Sequence, residues 1–161
     1  MKLRVGQGLD VHRWIAGRPL MLGGINIPHD QGLLGHSDAD VLLHAIIDAL
    51  LGGAGLGDIG RLFPDTDAAY AGIDSKLLLA SVAEKVKSHN WRILNIDATV
   101  ICQRPRLAPY MPLMAQTIAN ILNMEVTEVN IKATTTEKLG FTGRNEGVAA
   151  QAVALLIGMN D

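Results

Sequence analysis

Between Gly32 and Asp67 the chain reads GLLGHSDADVLLHAIIDALLGGAGLGDIGRLFPDTD, and no other stretch constrains the fold as much. Leu42, Ile46, Ala49 and Leu50 recur at helical spacing and define a buried face. Ser37 is placed to cap this helix, with Asp40 three residues on in the capping-box position. Along another side Asp40, His44 and Asp48 follow one another at i, i+4, so their side chains project together. No Lys or Arg stands between Leu33 and Gly60 to pair with them. A solvated face mixes signs. An acid, an imidazole and an acid without cations fit a site whose cation comes from outside, as a metal or a ligand.

The rest of the composition narrows the class. A chain of 161 residues is expected to form one domain over 1–161 with a real core. Hydrophobic residues make up 48% but include only two each of Trp, Tyr and Phe, so that core must be aliphatic. Fourteen Lys plus Arg against sixteen Asp plus Glu leave a net charge of -2, which favours neither nucleic acid nor an anionic membrane as partner. Cys102 is the only cysteine, so no internal disulfide forms and a reducing compartment fits. The start, MKLRVGQGLDVHRW, reaches glycines and Asp10 too soon for a signal-peptide core, and no apolar run is long enough to span a bilayer. A cytoplasmic protein is expected.

Taken in order, strands and helices alternate. Leu3 to Val11 reads as a strand, and Pro19 to Ile27 as a second one broken by Gly23 and Gly24. The helix from Ser37 follows, then an aperiodic loop from Leu56 to Ala71. Asp74 or Ser75 starts a second helix that runs to His89, and Ile93 to Ile101 alternates as a strand. Pro109 suits the first turn of a third helix through Met114, Ile118, Ile121 and Leu122. Val129 to Thr135 is another strand, Lys138 to Gly147 a turn-rich connection, and Gly147 to Ile157 either a last strand or a buried helix, with the strand preferred. The expected fold class is α/β in a two-layer α+β sense: a mixed β-sheet with helices packed on one face.

Two places carry chemistry beside the first helix. Asp10 and His12 stand two apart on a strand, so they share a face and fit either metal ligation or a structural hydrogen-bonded pair. With His44 they would make an open site of two histidines and a carboxylate, although so long a separation in sequence leaves the geometry undetermined. His36, next to Ser37 at the helix start, is placed where an anion such as phosphate is favoured, and plain capping is the alternative. In KATTTEKLGFTGRNEG, residues 132 to 147, the threonine hydroxyls suit phosphate and Glu137 suits a hard divalent cation. His29 and His89 have no such company and read as surface residues.

Four blocks in order, GLDVH at 8 to 12, HSDADVLLHAIIDALLG at 36 to 52, GDIGRLFPDTD at 57 to 67 and ATTTEKLGFTGRNEG at 133 to 147, resemble the 2-C-methyl-D-erythritol 2,4-cyclodiphosphate synthase family. The likeness extends over nearly the whole chain. It implies a homotrimer with active sites between subunits, zinc held by Asp10, His12 and His44, and a second divalent ion, magnesium or manganese, at Glu137. It implies catalytic roles for His36, Thr135 and Glu137. Ser37 would join His36 at the diphosphate, while Asp58, Gly60 and Asp65 would meet the methylerythritol part. Arg106, Leu107 and Ala108 with Ala133, Thr134 and Thr135 would hold the cytosine of a cytidine diphosphate substrate. Phe141, Arg144 and Glu146 match a cavity on the three-fold axis that can take an isoprenoid diphosphate. The implied reaction is intramolecular phosphoryl transfer with loss of CMP. A zinc phosphohydrolase and a non-catalytic binding module are the other readings. The chain departs from the family pattern at Trp14, Ala39, Arg106 and Asn145, where phenylalanine, glycine, lysine and glycine are frequent. No room is left for the cytidylyltransferase domain that some relatives carry, so a fusion is not expected.

Overall fold

Strand β1 (Leu3–Ala16) continues past the expected Val11, and the computed structural model in which it is seen describes residues 1–159. The region expected as one broken strand is a hairpin, β2 (Leu20–Leu22) and β3 (Ile25–Ile27), that turns through Gly23 and Gly24 at φ 64 and 78. Both angles lie in the left-handed region that glycine enters without steric cost. A short strand unmarked by any alternation, β4 (Gln31–Leu33), pairs antiparallel with the end of β1.

Helix α1 (Val41–Ala54) begins later than expected, with Asp40 rather than Ser37 as its N-cap. Within the aperiodic loop lie a four-residue helix, α2 (Ile59–Leu62), and a 3₁₀ turn at Ala68–Tyr70. Then come α3 (Ser75–Ser88), capped by Asp74, and β5 (Trp91–Ile101). Pro109 falls in a 3₁₀ turn, and α4 (Met111–Leu122) starts just after it with Pro112 in its first turn. The chain ends through β6 (Val129–Thr134), the single turn α5 (Gly140–Gly143) and β7 (Gly147–Gly158).

The main sheet is mixed, in the order β4-β1-β7-β5-β6, with only β5 and β6 parallel. Because β7 runs antiparallel to both β1 and β5, the C-terminal ends of β1, β5 and β6 share one edge. The alanine-rich last segment is a strand for a packing reason. Ala150, Ala152 and Ala154 are buried and pair with Asp10, Gly8 and Gly6 of β1, which leaves a shallow floor on which α1 lies. A Cβ on Gly6 would sit 1.8 Å from the Ala49 carbonyl oxygen, and one on Gly8 would sit 1.9 Å from that of Ala45. Helix backbone therefore touches strand backbone.

That contact also sets a register. Two strand residues advance about 7 Å and four helix residues about 6 Å, so the next inward residue after Gly8, Asp10, meets the first turn of α1. Helix α1 is buried all round: Val41, Leu43, Ile47 and Leu51 are as inaccessible as the expected face of Leu42, Ile46, Ala49 and Leu50. The opposite face of the sheet is different. Val5, Leu9, Val11 and Val153 stand exposed there, at 67, 53, 47 and 45%. Among the described residues no helix is long and apolar enough to cross a membrane.

Candidate active site

The register of α1 on β1 brings His44 against Asp10. Asp10 Oδ2 lies 3.0 Å from His44 Nδ1 and 2.9 Å from His12 Nε2, and the two imidazole nitrogens are 3.2 Å apart. One carboxylate oxygen and two ring nitrogens thus converge, a donor set able to hold a metal ion. Burial opposes ionisation of Asp10, but hydrogen bonds from His12 and His44 outweigh it and lower its carboxyl to about 2. For His12, burial favours the neutral ring, yet the Asp10 carboxylate prevails and raises its pKa.

Neighbouring groups orient both rings. His12 Nδ1–H donates to the Leu34 carbonyl at 2.7 Å, which leaves Nε2 as the free lone pair. His44 Nε2–H donates to Ser75 Oγ at 2.9 Å, the Ser75 hydroxyl donates to Asp38, and Ser37 Oγ lies 3.2 Å from the same ring nitrogen. Nδ1 of His44 is thereby aimed at Asp10. Ser75 and Asp38 were not singled out from the sequence, because a serine after an aspartate at a helix start reads only as a cap.

The expected stripe of Asp40, His44 and Asp48 does not act as one cation site. Asp40 is fully buried and accepts from the N–H groups of Gly23, Gly24 and Leu43, at 3.0, 2.7 and 3.1 Å. These backbone donors are the partners that no Lys or Arg supplied. Asp48 accepts from Ile59 N–H at 2.7 Å. Only His44 of the three reaches the triad.

A cleft of about 380 Å³ opens over the triad, walled by His36, Ser37, Gly60, Phe63, Asp65 and Tyr70. His36 is not at a helix N-terminus, since α1 starts at Val41. Its Nε2–H instead donates to the Asp67 carbonyl at 2.9 Å, and its own carbonyl accepts from Gly72 N–H at 2.7 Å, so it ties down the far end of the cleft wall. Asp58 caps α2 through Arg61 N–H and does not line the cleft.

A second concavity, of about 650 Å³, lies at the ends of β5 and β6 and contains Arg106, Leu107, Ala108, Ala133, Thr134 and Thr135. His29, read from the sequence as a surface residue, also lines it and packs on Trp14 with ring centroids 5.0 Å apart. No pattern around His29 signalled this, because the placement comes from the β3–β4 connection folding over β1. The two concavities share no lining residue. Glu137 lines neither; it is exposed at φ 53 and accepts from the Thr135 hydroxyl at 3.1 Å. Phe141 is 40% exposed, and Arg144 pairs with Glu146 at 2.8 Å on the surface. Two of the departures have a backbone meaning: Ala39 and Asn145 take φ 59 and 60, conformations in which glycine is the unstrained choice.

A model of the YgbB family matches residues 3–157. The 2-C-methyl-D-erythritol 2,4-cyclodiphosphate synthase of Syntrophobacter fumaroxidans is 64% identical over 154 residues, 96% of this chain and 97% of that protein. Among solved structures, the bifunctional IspDF from Campylobacter jejuni superposes with a TM-score of 0.94 at 42% identity, over 99% of this chain and 44% of that one. Plasmodium falciparum IspF in complex with CDP gives 0.86 at 33% identity, over 98% and 97%. A match over nearly all of the chain, with Asp10, His12 and His44 gathered at one point, means that the chain belongs to the YgbB family, that of the 2-C-methyl-D-erythritol 2,4-cyclodiphosphate synthases.

Proposed function

We propose that this chain converts 4-diphosphocytidyl-2-C-methyl-D-erythritol 2-phosphate into 2-C-methyl-D-erythritol 2,4-cyclodiphosphate and CMP, in the cytoplasm, as a step of non-mevalonate isoprenoid synthesis. The observation that carries this reading is the convergence of Asp10 Oδ2, His12 Nε2 and His44 Nδ1 beneath a cleft. Their second partners are already satisfied, so the donor set suits zinc with a position left for substrate. Bound there, zinc supplies Lewis-acid polarisation of phosphate oxygens, as does magnesium or manganese held by Glu137 and substrate phosphates.

The chain's own residues do the positioning. Ser37 and His36 hold the diphosphate within the cleft, and Gly60 and Asp65 border the methylerythritol part, with Asp58 next to that wall as the N-cap of α2. Arg106, Leu107, Ala108, Ala133 and Thr134 enclose the cytosine, and Thr135, whose hydroxyl donates to Glu137, meets the phosphate beside it. A phosphate monoester loses its second proton near pH 6, so the 2-phosphate needs no side-chain base at neutral pH. Its oxygen bonds to the β-phosphorus while the bond from that phosphorus to the oxygen bridging to the α-phosphorus breaks, and the bridging oxygen leaves as part of CMP. Fixed cleft walls remove the entropy of folding the substrate back on itself.

The reading includes a homotrimer. Support comes from the exposed apolar sheet face and from two concavities that one subunit does not join. Pairing the triad of one subunit with the neighbour's cytosine pocket completes the site, and Phe141, Arg144 and Glu146 would then border an axial cavity for an isoprenoid diphosphate. Each subunit contributes one domain. Phosphorus NMR of the protein with substrate, zinc and magnesium tests the reaction. CMP and a cyclic diphosphate are expected, and a chelator should abolish both. Intact substrate would overturn the reading, and free inorganic phosphate would make water the nucleophile.

A further inference from the structure

Asp48 lies outside the triad and outside both concavities, and no cation pairs with it among the described residues. It sits on α1 one turn after His44, half-buried, where an ionised carboxylate is costly unless it is hydrogen-bonded. Burial raises its pKa, and the neighbouring charges of Asp58 and Asp10 act the same way, while the Ile59 amide opposes them. A group kept there against that cost has one visible partner, the Ile59 N–H at 2.7 Å.

Ile59 is the first residue of α2, and a helix start leaves such N–H groups without intrahelical partners. Asp58, from the adjoining loop, takes the Arg61 N–H at 2.9 Å, and Asp48 takes that of Ile59 from the preceding helix α1. Ile59 and Gly60 are cleft wall, while His36 holds the far end of the same wall through Asp67 and Gly72. The near end is thus gripped by the helix that presents His44.

We propose that Asp48 is a positioning residue for the cyclisation, setting the spacing between the metal triad and the Ile59–Gly60–Asp65 wall through its bond to the Ile59 amide. The inference rests on the reading of the cleft given above. Near-attack geometry is sensitive to such spacing, and a displacement of about 1 Å costs up to about a hundredfold in rate.

Asp48→Ala and Asp48→Asn separate the roles, with kcat/KM, bound zinc and hydrogen exchange of the Ile59 amide measured on each. Asp48→Ala is expected to lower kcat/KM at least about tenfold, the loss of one charge-assisted hydrogen bond, with zinc unchanged and the Ile59 amide deprotected. Asp48→Asn keeps an oxygen acceptor at the same place, so most of the activity and the protection should return. Wild-type kcat/KM in Asp48→Ala, with only a lower Tm, would reduce Asp48 to a structural anchor and overturn the proposal. Loss of zinc from Asp48→Ala would assign it to the triad instead, and an Asp48→Asn as impaired as Asp48→Ala would mean that charge, not position, matters. If the wild type forms no cyclic product, the reading of the cleft fails first and the role of Asp48 with it.

Discussion

His44 can serve a metal through Nδ1 only if the proton stays on Nε2, and the Ser75 hydroxyl, itself held by Asp38, keeps it there. Ser75→Ala should therefore weaken zinc binding by about 10- to 100-fold while the fold survives, as read by competition with a chromogenic chelator. His12 adds a pH dependence. Its pKa lies above 6.5 because Asp10 stabilises the imidazolium, so a proton should compete with any metal at the triad, the proposed zinc included, as the pH falls through that raised value. Zinc affinity should fall steeply on that acid side, measured by titration calorimetry across pH. In the metal-free protein the same pair has two limits. Asp10, lowered from 3.8 to about 2, contributes stability that is present above 3.8 and lost as the pH drops toward 2. The His12 contribution is present below 6.5 and lost as the pH rises through its raised value. Metal-free protein should show its highest Tm between those limits, by calorimetry.

Elements decide whether those residues meet. The contact of α1 with β1 depends on Gly6 and Gly8, where an added methyl would run into helix carbonyls. Gly8→Ala should cost about 3 kcal/mol or more and shift His44 away from Asp10, so both Tm and zinc content should fall. Asp40 gives a contrasting test. Its carboxylate fastens the β2–β3 turn to the start of α1 through three backbone N–H groups. Asp40→Ala should destabilise by about 2 to 3 kcal/mol in denaturant melts, yet the surviving folded protein should still bind zinc, because no triad contact is removed.

At the scale of the whole molecule, each face of the sheet has its own use. One face carries the helices and the core; the other presents Val5, Leu9, Val11 and Val153 to solvent in the isolated chain. An apolar face of this kind supports the homotrimer proposed above. If the homotrimer proposed above forms through this face, Leu9→Lys should yield monomers in sedimentation equilibrium, since three buried ammonium groups would have no partners. A metal on the triad should stay bound, the triad being within one chain, and cyclisation should be lost if a neighbour's pocket completes the site as proposed.

The order of the long strands and helices, the aliphatic core and the donor types Asp10, His12 and His44 were legible in the sequence, because periodicity and residue chemistry are local properties. The extent of β1 was not, as its end is shaped by pairing with the unmarked strand β4. Nor was the fate of the acids on α1: absent cations in the sequence said that something else must pair with Asp40 and Asp48, but backbone amides carry no sequence signature. The resemblance to a family grouped the site residues without showing how they meet. Only the tertiary structure did that, by laying a helix on two glycines and three alanines so that residues 34 positions apart come within 3.0 Å. Sequence alone determined which side chains could hold a metal and where the long helices and most of the long strands lie, but not the short elements β4, α2 and α5. Close packing of backbone on backbone decided that they do so together, since distance in space is set by what can approach and not by order along the chain.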